Sequence, residues 1–384
     1  MEVVNEALQA VIRLFLQPLF YITCAFSLIL TYARIKKERR MFGVRIRPVL
    51  AEWTQRKSSV VYSLLFSLLF ILAGVWVSSE FLLLMGAIAI LLAFTKGFKW
   101  YSFIYIGGLA AFAVAPVERF LPWDVPVSLI SVALLIAGLA FFESHHLKQL
   151  RRNESFPERL NSPRGKTLGQ HRVRRLHWLP VVAIFPTGPL QDLFWFPLLE
   201  IGDGYGLIVL PLFSAFEWTA RAELPVITAE RLAGHMRILG SSVLVLAIAG
   251  YWYDPLVYIS IAVAILGRVA VYVRGKRSGT SLFQDSSRGL RVLAVVTGTP
   301  AVKIGIEPGE IISKVNGVPV HTEKEFYEQL HFRGAFTKLE VRDLQGEIRH
   351  AGHGLYEGDH HELGVIFVRT SEAWTEDIGF TSYS

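Results

Sequence analysis

Asp359-His360-His361 places two imidazoles beside a carboxylate, a set of residue types that could hold a metal ion. Adjacent residues of a strand point to opposite faces, so these two histidines do not converge on one ion, and His350 and His353 join them only through a fold the sequence does not dictate. His361-Glu362-Leu363-Gly364-Val365 opens like the zinc-protease helix H-E-x-x-H but ends on valine, which removes the second ligand one turn on. Ser241 and Ser242 offer hydroxyl nucleophiles inside an apolar segment, yet no apolar segment of span length contains a histidine to serve as base. His145-His146 stands at a segment end and reads as interfacial. Asp192, Glu200, Asp203 and Glu217 lie among prolines and glycines and read as solvated turn residues. Gly107-Gly108 reads as small-residue helix packing. The single cysteine, Cys24, leaves no partner for a disulfide or a thiolate metal site. The expectation is a protein without catalytic residues, metal or cofactor.

A different chemistry sits near the C-terminus, where residues 288–369 read as short strands alternating with two helices. Arg291–Val296 is a buried strand, followed by a turn and a short helix that begins at Pro300, a residue suited to a first helical turn. Asn316-Gly317 marks a tight hairpin turn. Thr322 and Glu325 have the spacing of a capping box, and Phe326 and Leu330, four apart, give the helix they open an apolar stripe. Lys338–Arg342 is a further strand. The small-residue helix after Thr299, the Pro308-Gly309-Glu310 turn and the Val315-Asn316-Gly317 turn resemble the bacterial PDZ family.

That resemblance implies capture of peptide tails by strand addition beside the second helix, with Phe326 and Leu330 on the groove wall. Bacterial PDZ domains often carry a Leu-Gly-Ile-like loop upstream of this segment, where here there is only Ser281-Leu282-Phe283. Glu362-Leu363-Gly364-Val365-Ile366, downstream, matches better. A permuted domain would line its groove with Leu363, Gly364, Val365 and Ile366; the alternative is an ordinary edge or core strand.

The elements that must position this module are hydrophobic. The 384 residues are 52% hydrophobic and 18% charged, with mean hydropathy +0.40, which leans toward the membrane. Seven apolar segments approach the ~20 residues that cross hydrocarbon: 11–32, 59–78, 80–95, 101–117, 125–142, 237–253 and 255–273. The net charge of +7 is concentrated in blocks at 34–57, 148–175 and 274–277, each flanking an apolar segment. Alternating the segments from an outside N-terminus puts all three blocks and the C-terminus inside, as the positive-inside bias requires. Nucleic-acid binding has no recognition module to support it. The N-terminus lacks a basic leader and a cleavage site, so the first span is expected to stay attached.

Residues 178–236 are cut by Pro180, Pro186, Pro189, Pro197 and Pro211 and read as a β-rich cytoplasmic element against the membrane, or alternatively as an extra helical hairpin. The division expected is a membrane domain over 1–142 with five spans, a basic loop and β-rich element over 143–236, two spans over 237–273, a linker over 274–287, a PDZ domain over 288–369 and a tail over 370–384. The fold class is thus a polytopic α-helical membrane protein of about seven spans followed by an α+β PDZ domain, a partly open β-barrel with two helices.

Pro18-Leu19-Phe20-Tyr21, Tyr32–Arg39, Gly346-Glu347-Ile348-Arg349 and Leu355–Gly364, taken with the membrane half, resemble the MinJ family of bacterial division-site proteins. The resemblance implies a non-catalytic adaptor of the Min system at septum and poles, with a DivIVA-like polar scaffold and a MinD-like ATPase as partners. The rival reading is a membrane protease, or a regulator of one, that senses protein tails with its PDZ domain. A transporter-like bundle is a weaker rival, because the seven segments contain no acidic residue beyond Glu80 at the very start of one of them.

Overall fold

The computed structural model describes residues 2–53, 57–95, 97–161, 167–190, 204–275, 281–332, 336–354 and 363–368. Asp192, Glu200, Asp203, His360-His361, the string 355–362 and the tail 370–384 lie outside the described residues. The chain opens with α1 (Glu2–Leu16) and α2 (Pro18–Phe42), broken at Gln17 because Pro18 lacks an N–H and starts a new helix. The apolar bundle continues with α3 (Lys57–Ala73), α4 (Ser79–Phe94), α5 (Phe103–Phe120) and α6 (Leu129–Lys148). After the β element come α7 (Pro225–Ala249) and α8 (Pro255–Gly275).

Five of these helices, α2, α5, α6, α7 and α8, are long and apolar enough to cross a membrane; α3 and α4 are apolar but 17 and 16 residues long. Each of the seven expected segments coincides with a helix, but the boundaries differ, three of them with consequences. The 11–32 segment is split at Gln17. α7 starts at Pro225 rather than 237, because its first turns carry charge yet pack against the rest of the chain. α6 runs on to Lys148 and so takes in Glu143, an acidic residue inside an apolar helix.

Between α6 and α7 lies a three-stranded antiparallel sheet, β1 (Phe156–Asn161), β2 (Thr167–Leu190) and β3 (Tyr205–Ala220), in the order β1-β2-β3. Its long β2–β3 hairpin is not set against the end of the bundle. Leu176 N–H donates to the Glu52 carbonyl (2.8 Å) and Ile184 N–H to the Val75 carbonyl (2.9 Å), and α3 joins those same two points. Eight strand residues rise about 26 Å and seventeen helical residues about 25 Å, so β2 runs beside α3 over its whole length. Val173, Leu179, Val181, Ala183, Leu210, Leu212 and Phe213 bury their side chains in the same core as the helices.

An open β edge packed among these apolar helices needs its outward backbone groups satisfied, since apolar surroundings supply no partner. On β3, Leu207 N–H donates to the Glu6 carboxylate (3.0 Å), and the Leu207 and Val209 carbonyls accept from Arg13 (2.6 Å) and Gln17 (2.8 Å). Ala215 N–H donates to the Tyr101 carbonyl (3.1 Å) and its carbonyl accepts from Arg268 (3.0 Å). On β2, Val182 N–H donates to Ser67 Oγ (2.8 Å), and the Ile184 carbonyl accepts from Val77 N–H (3.1 Å). Pro180 and Pro211 stand directly opposite each other in the register. Both occupy outward positions of the ribbon, where a residue without an N–H leaves no donor stranded.

The C-terminal domain consists of β4 (Leu290–Val295), α9 (Pro300–Lys303), β5 (Ile311–Val315), β6 (Val318–Pro319), α10 (Glu323–Phe332), β7 (Phe336–Arg342), β8 (Ile348–Gly354) and β9 (Val365–Phe367). The sheet order is β8-β7-β5-β4-β9, with β6 on β5. Asn316 and Gly317 take left-handed φ values of 54° and 87°, the geometry of a two-residue hairpin turn. The capping box forms: Glu325 N–H donates to Thr322 Oγ1 (3.2 Å) and Thr322 N–H to the Glu325 carboxylate (3.3 Å).

The domain is docked on the end of the bundle where the first two basic blocks converge. Arg47 donates to the carbonyls of Ser155 (3.0 Å) and Val295 (3.2 Å), and Thr297 N–H donates to the Ile46 carbonyl (3.3 Å). An apolar seam of Ile46, Leu224, Phe283, Leu293, Ala294, Ile366 and Val368 fills the contact.

Candidate peptide-binding site

β9 is the edge strand of the C-terminal sheet, and its pairing with β4 fixes which of its peptide groups face outward. Val296 N–H donates to the Gly364 carbonyl (2.9 Å) and Val368 N–H to the Arg291 carbonyl (3.1 Å). In an antiparallel pair the bonded residues alternate, so Gly364, Ile366 and Val368 turn their backbone to β4 while Val365 and Phe367 turn theirs away. Side chains alternate as well. Val365 and Phe367 enter the domain core with Leu363, Phe326 and Leu330, whereas Ile366 enters the seam with the membrane half.

The turn ahead of β9 is built around Gly364, whose φ of 80° is left-handed and whose missing Cβ would collide with the Thr299 side chain. Thr299 Oγ1 donates to the Val296 carbonyl (2.8 Å), and Ala301 N–H donates to the Leu363 carbonyl (3.0 Å), which ties the turn to the start of α9. Only glycine meets both the conformation and the space.

Of the residues singled out in the sequence, Leu363, Gly364 and Val365 form the turn and the first outward peptide group of the edge strand. Phe326 is fully buried and stacks edge-on against Phe367 with centroids 4.9 Å apart, so it supports β9 from the core. Leu330 is buried in the same cluster. Glu323, Tyr327 and Leu330 share one face of α10, at spacings of four and three; Leu330 lies in the domain core and Tyr327 packs against it. Tyr327 escaped sequence reasoning because the apolar stripe was drawn through Phe326.

Arg159 of β1 is a further residue at this edge. Its Nη2 donates to the Phe367 carbonyl (2.9 Å) and its guanidinium lies over the Phe42 ring with a centroid distance of 5.0 Å; burial pulls its pKa down, and the Glu323 charge opposes that. No local pattern could have signalled it, since the contact joins residues 208 positions apart.

The other sequence features resolve differently. Ser242 Oγ donates to the Ile238 carbonyl one turn back on α7. His146 accepts or donates at Ser59 Oγ (3.0 Å) and faces the Phe142 carbonyl (3.0 Å), both within the buried end of α6. Glu217 pairs with Arg172 (2.8 Å) rather than standing in a solvated turn. A Cβ on Gly108 would press against the Ile265 side chain of α8, so the glycine allows close packing there. Glu143 and Arg268 form a buried ion pair between α6 and α8, missed because Glu143 lies one residue beyond the expected segment end.

A model of the PDZ domain family matches residues 291–331. Over 385 aligned residues, 95% of each chain, the protein is 30% identical to the cell division topological determinant MinJ of Bacillus subtilis. Probable MinJ proteins of Lacticaseibacillus paracasei and Lacticaseibacillus casei are each 22% identical over 93% of this chain and 97% of their own.

Proposed function

Because the chain belongs to the MinJ family of cell division topological determinants, we propose that it is a non-catalytic membrane adaptor that positions the Min machinery at septum and poles by bridging a DivIVA-like scaffold and a MinD-like ATPase. The observation that carries the adaptor reading is the edge strand β9, whose outward peptide groups at Val365 and Phe367 lie beside α10 and follow a glycine turn. Such an edge adds a strand from another polypeptide: its backbone supplies affinity, and the Glu323–Tyr327–Leu330 face of α10 supplies choice. Leu363, Gly364 and Val365 serve the groove directly, Leu330 forms part of its wall, Phe326 backs it, and Ile366 serves the seam.

The membrane half fixes location. In this reading the N-terminus is outside, the three basic blocks are cytoplasmic, and the docked PDZ domain faces the cytoplasm with them. Residues 1–142 and 237–273 supply the spans, 143–236 the basic loop and the β hairpin, 274–287 the linker and 288–369 the PDZ domain.

A fluorescent fusion expressed in its native cell should concentrate at septa and poles. Deleting residues 285–384 should weaken one partner's recruitment while membrane insertion persists. Uniform membrane fluorescence, or a reporter fused after Gly275 that proves to be outside, would refute the adaptor reading.

A further inference from the structure

The peptide groove is not built by the PDZ domain alone. In antiparallel addition to β9, a tail whose carboxylate sits at the Leu363-Gly364 turn places its last residue opposite Val365 and its third-from-last residue opposite Phe367. Each of those tail residues donates its N–H to the carbonyl facing it. The Val365 carbonyl faces outward. The Phe367 carbonyl also faces outward, but Arg159 already donates to it at 2.9 Å.

Arg159 reaches that position from β1, which is anchored to the membrane half on several sides. Lys37 at the end of α2 bonds Glu158 (2.7 Å), and Gln170 of β2 bonds the same carboxylate (2.7 Å). The guanidinium lies over the Phe42 ring, so it bridges α2, β1 and β9, with the Glu323 charge at the opening of α10 in its favour. It is not fully satisfied: Nε is buried without a hydrogen-bond partner. A buried charged donor left unpaired is a cost carried by the docked form and relieved on undocking, so the latch can be displaced.

We infer that Arg159 closes the far end of the groove, so that the docked domain strand-pairs with only the last two residues of a tail, and pairs further only when the PDZ domain moves off β1. This rests on the groove reading above. It makes the membrane half a determinant of tail specificity and couples deep tail binding to undocking. A tail that engages the Phe367 carbonyl competes with the docked arrangement, and one that stops short of it does not.

The test uses the full chain in lipid nanodiscs. A library of heptapeptides with free C-termini is selected against the protein, and one enriched heptapeptide is then made in two N-methylated forms. Methylation of the last residue removes the N–H that meets the Val365 carbonyl, and should weaken binding roughly fivefold in both the protein and R159A, about one hydrogen bond's worth. Methylation of the third-from-last residue should change binding to the unaltered protein by less than about twofold, and weaken binding to R159A roughly fivefold. An equal loss in the two proteins on methylating the third-from-last residue would overturn the latch while leaving the groove intact. Should R159A fail to fold, the two methylated peptides on the unaltered protein decide alone: a loss at the third-from-last position matching that at the last refutes the latch. If no heptapeptide is enriched, the groove reading itself falls and the latch with it.

Discussion

Two β edges in this molecule are treated in opposite ways. The β2–β3 hairpin runs at the depth of α3, and its outward groups at Leu207, Val209 and Ala215 are met by Glu6, Arg13, Gln17, Tyr101 and Arg268, with Pro180 and Pro211 removing two donors altogether. The β9 edge, at the other end of the chain, presents Val365 and Phe367 outward with Arg159 on a single carbonyl. The difference follows from the solvent. Water solvates an unpaired peptide group until a partner arrives, whereas a hydrocarbon surround makes each unpaired group a standing penalty. One edge is sealed for stability and the other kept open for exchange.

The sharpest way to break the sealed edge is to remove Arg268. It pairs with Glu143 and donates to the Ala215 carbonyl (3.0 Å), so Arg268→Ala strands a buried carboxylate and a strand carbonyl together. The expected loss is about 3–5 kcal/mol, read as a lowered unfolding midpoint of the detergent-solubilised protein. The double variant Glu143→Gln with Arg268→Met should recover part of it, because the uncompensated charge is gone. A double variant as unstable as the single one would mean that the strand carbonyl, not the charge, dominates.

Pro211→Ala probes the same edge from the other direction. Replacing proline in a strand ordinarily adds a ladder bond, but Pro211 faces outward and is buried, so the new N–H has no partner. The expected effect is destabilisation of roughly 1–3 kcal/mol. A neutral or stabilised variant in the same unfolding assay would show that the edge is wet at that depth, and the contrast between the two edges would dissolve.

How these edges could be foreseen differs as much as their chemistry. The PDZ turns were legible because they rest on local rules: Asn316-Gly317 demands left-handed backbone, and Thr322 with Glu325 closes a cap within four residues. Gly364 was legible as a turn residue, though its reason, the Thr299 side chain, is 65 positions away in sequence. The hairpin was half legible. Its prolines marked a break from helix by cutting the apolar runs, but Pro180 and Pro211 stand inside its strands, at outward positions that suit a dry site. Arg159, and the pairing of Glu143 with Arg268, were beyond reach because each contact joins elements that the chain brings together only in three dimensions.

The smallest effect concerns the seam that sets the open edge beside β1. His171 of β2 shares Nδ1 with Ser155 Oγ (2.8 Å) and presents Nε2 to the Leu293 carbonyl of β4 (2.9 Å), its ring tilted against that of Phe283. Burial, and then the nearby Arg47 charge, push its pKa down to about 3, against lesser opposing contributions from the Leu293 carbonyl and Glu158. Undocking would return the ring to water and an ordinary pKa near ~6.5. Between those values the undocked form binds the extra proton, so docking is fully stabilised above pH ~6.5 and weakens as pH falls toward 3. From pH 7 to pH 6 the change is under about 1 kcal/mol, enough to raise hydrogen exchange along β4 and β9 severalfold while the β2–β3 hairpin stays protected. His171→Phe should flatten that dependence by removing the titrating group. A profile that keeps its slope in the variant would place the proton elsewhere, and His171 would then be a packing residue rather than the point at which acid loosens the seam.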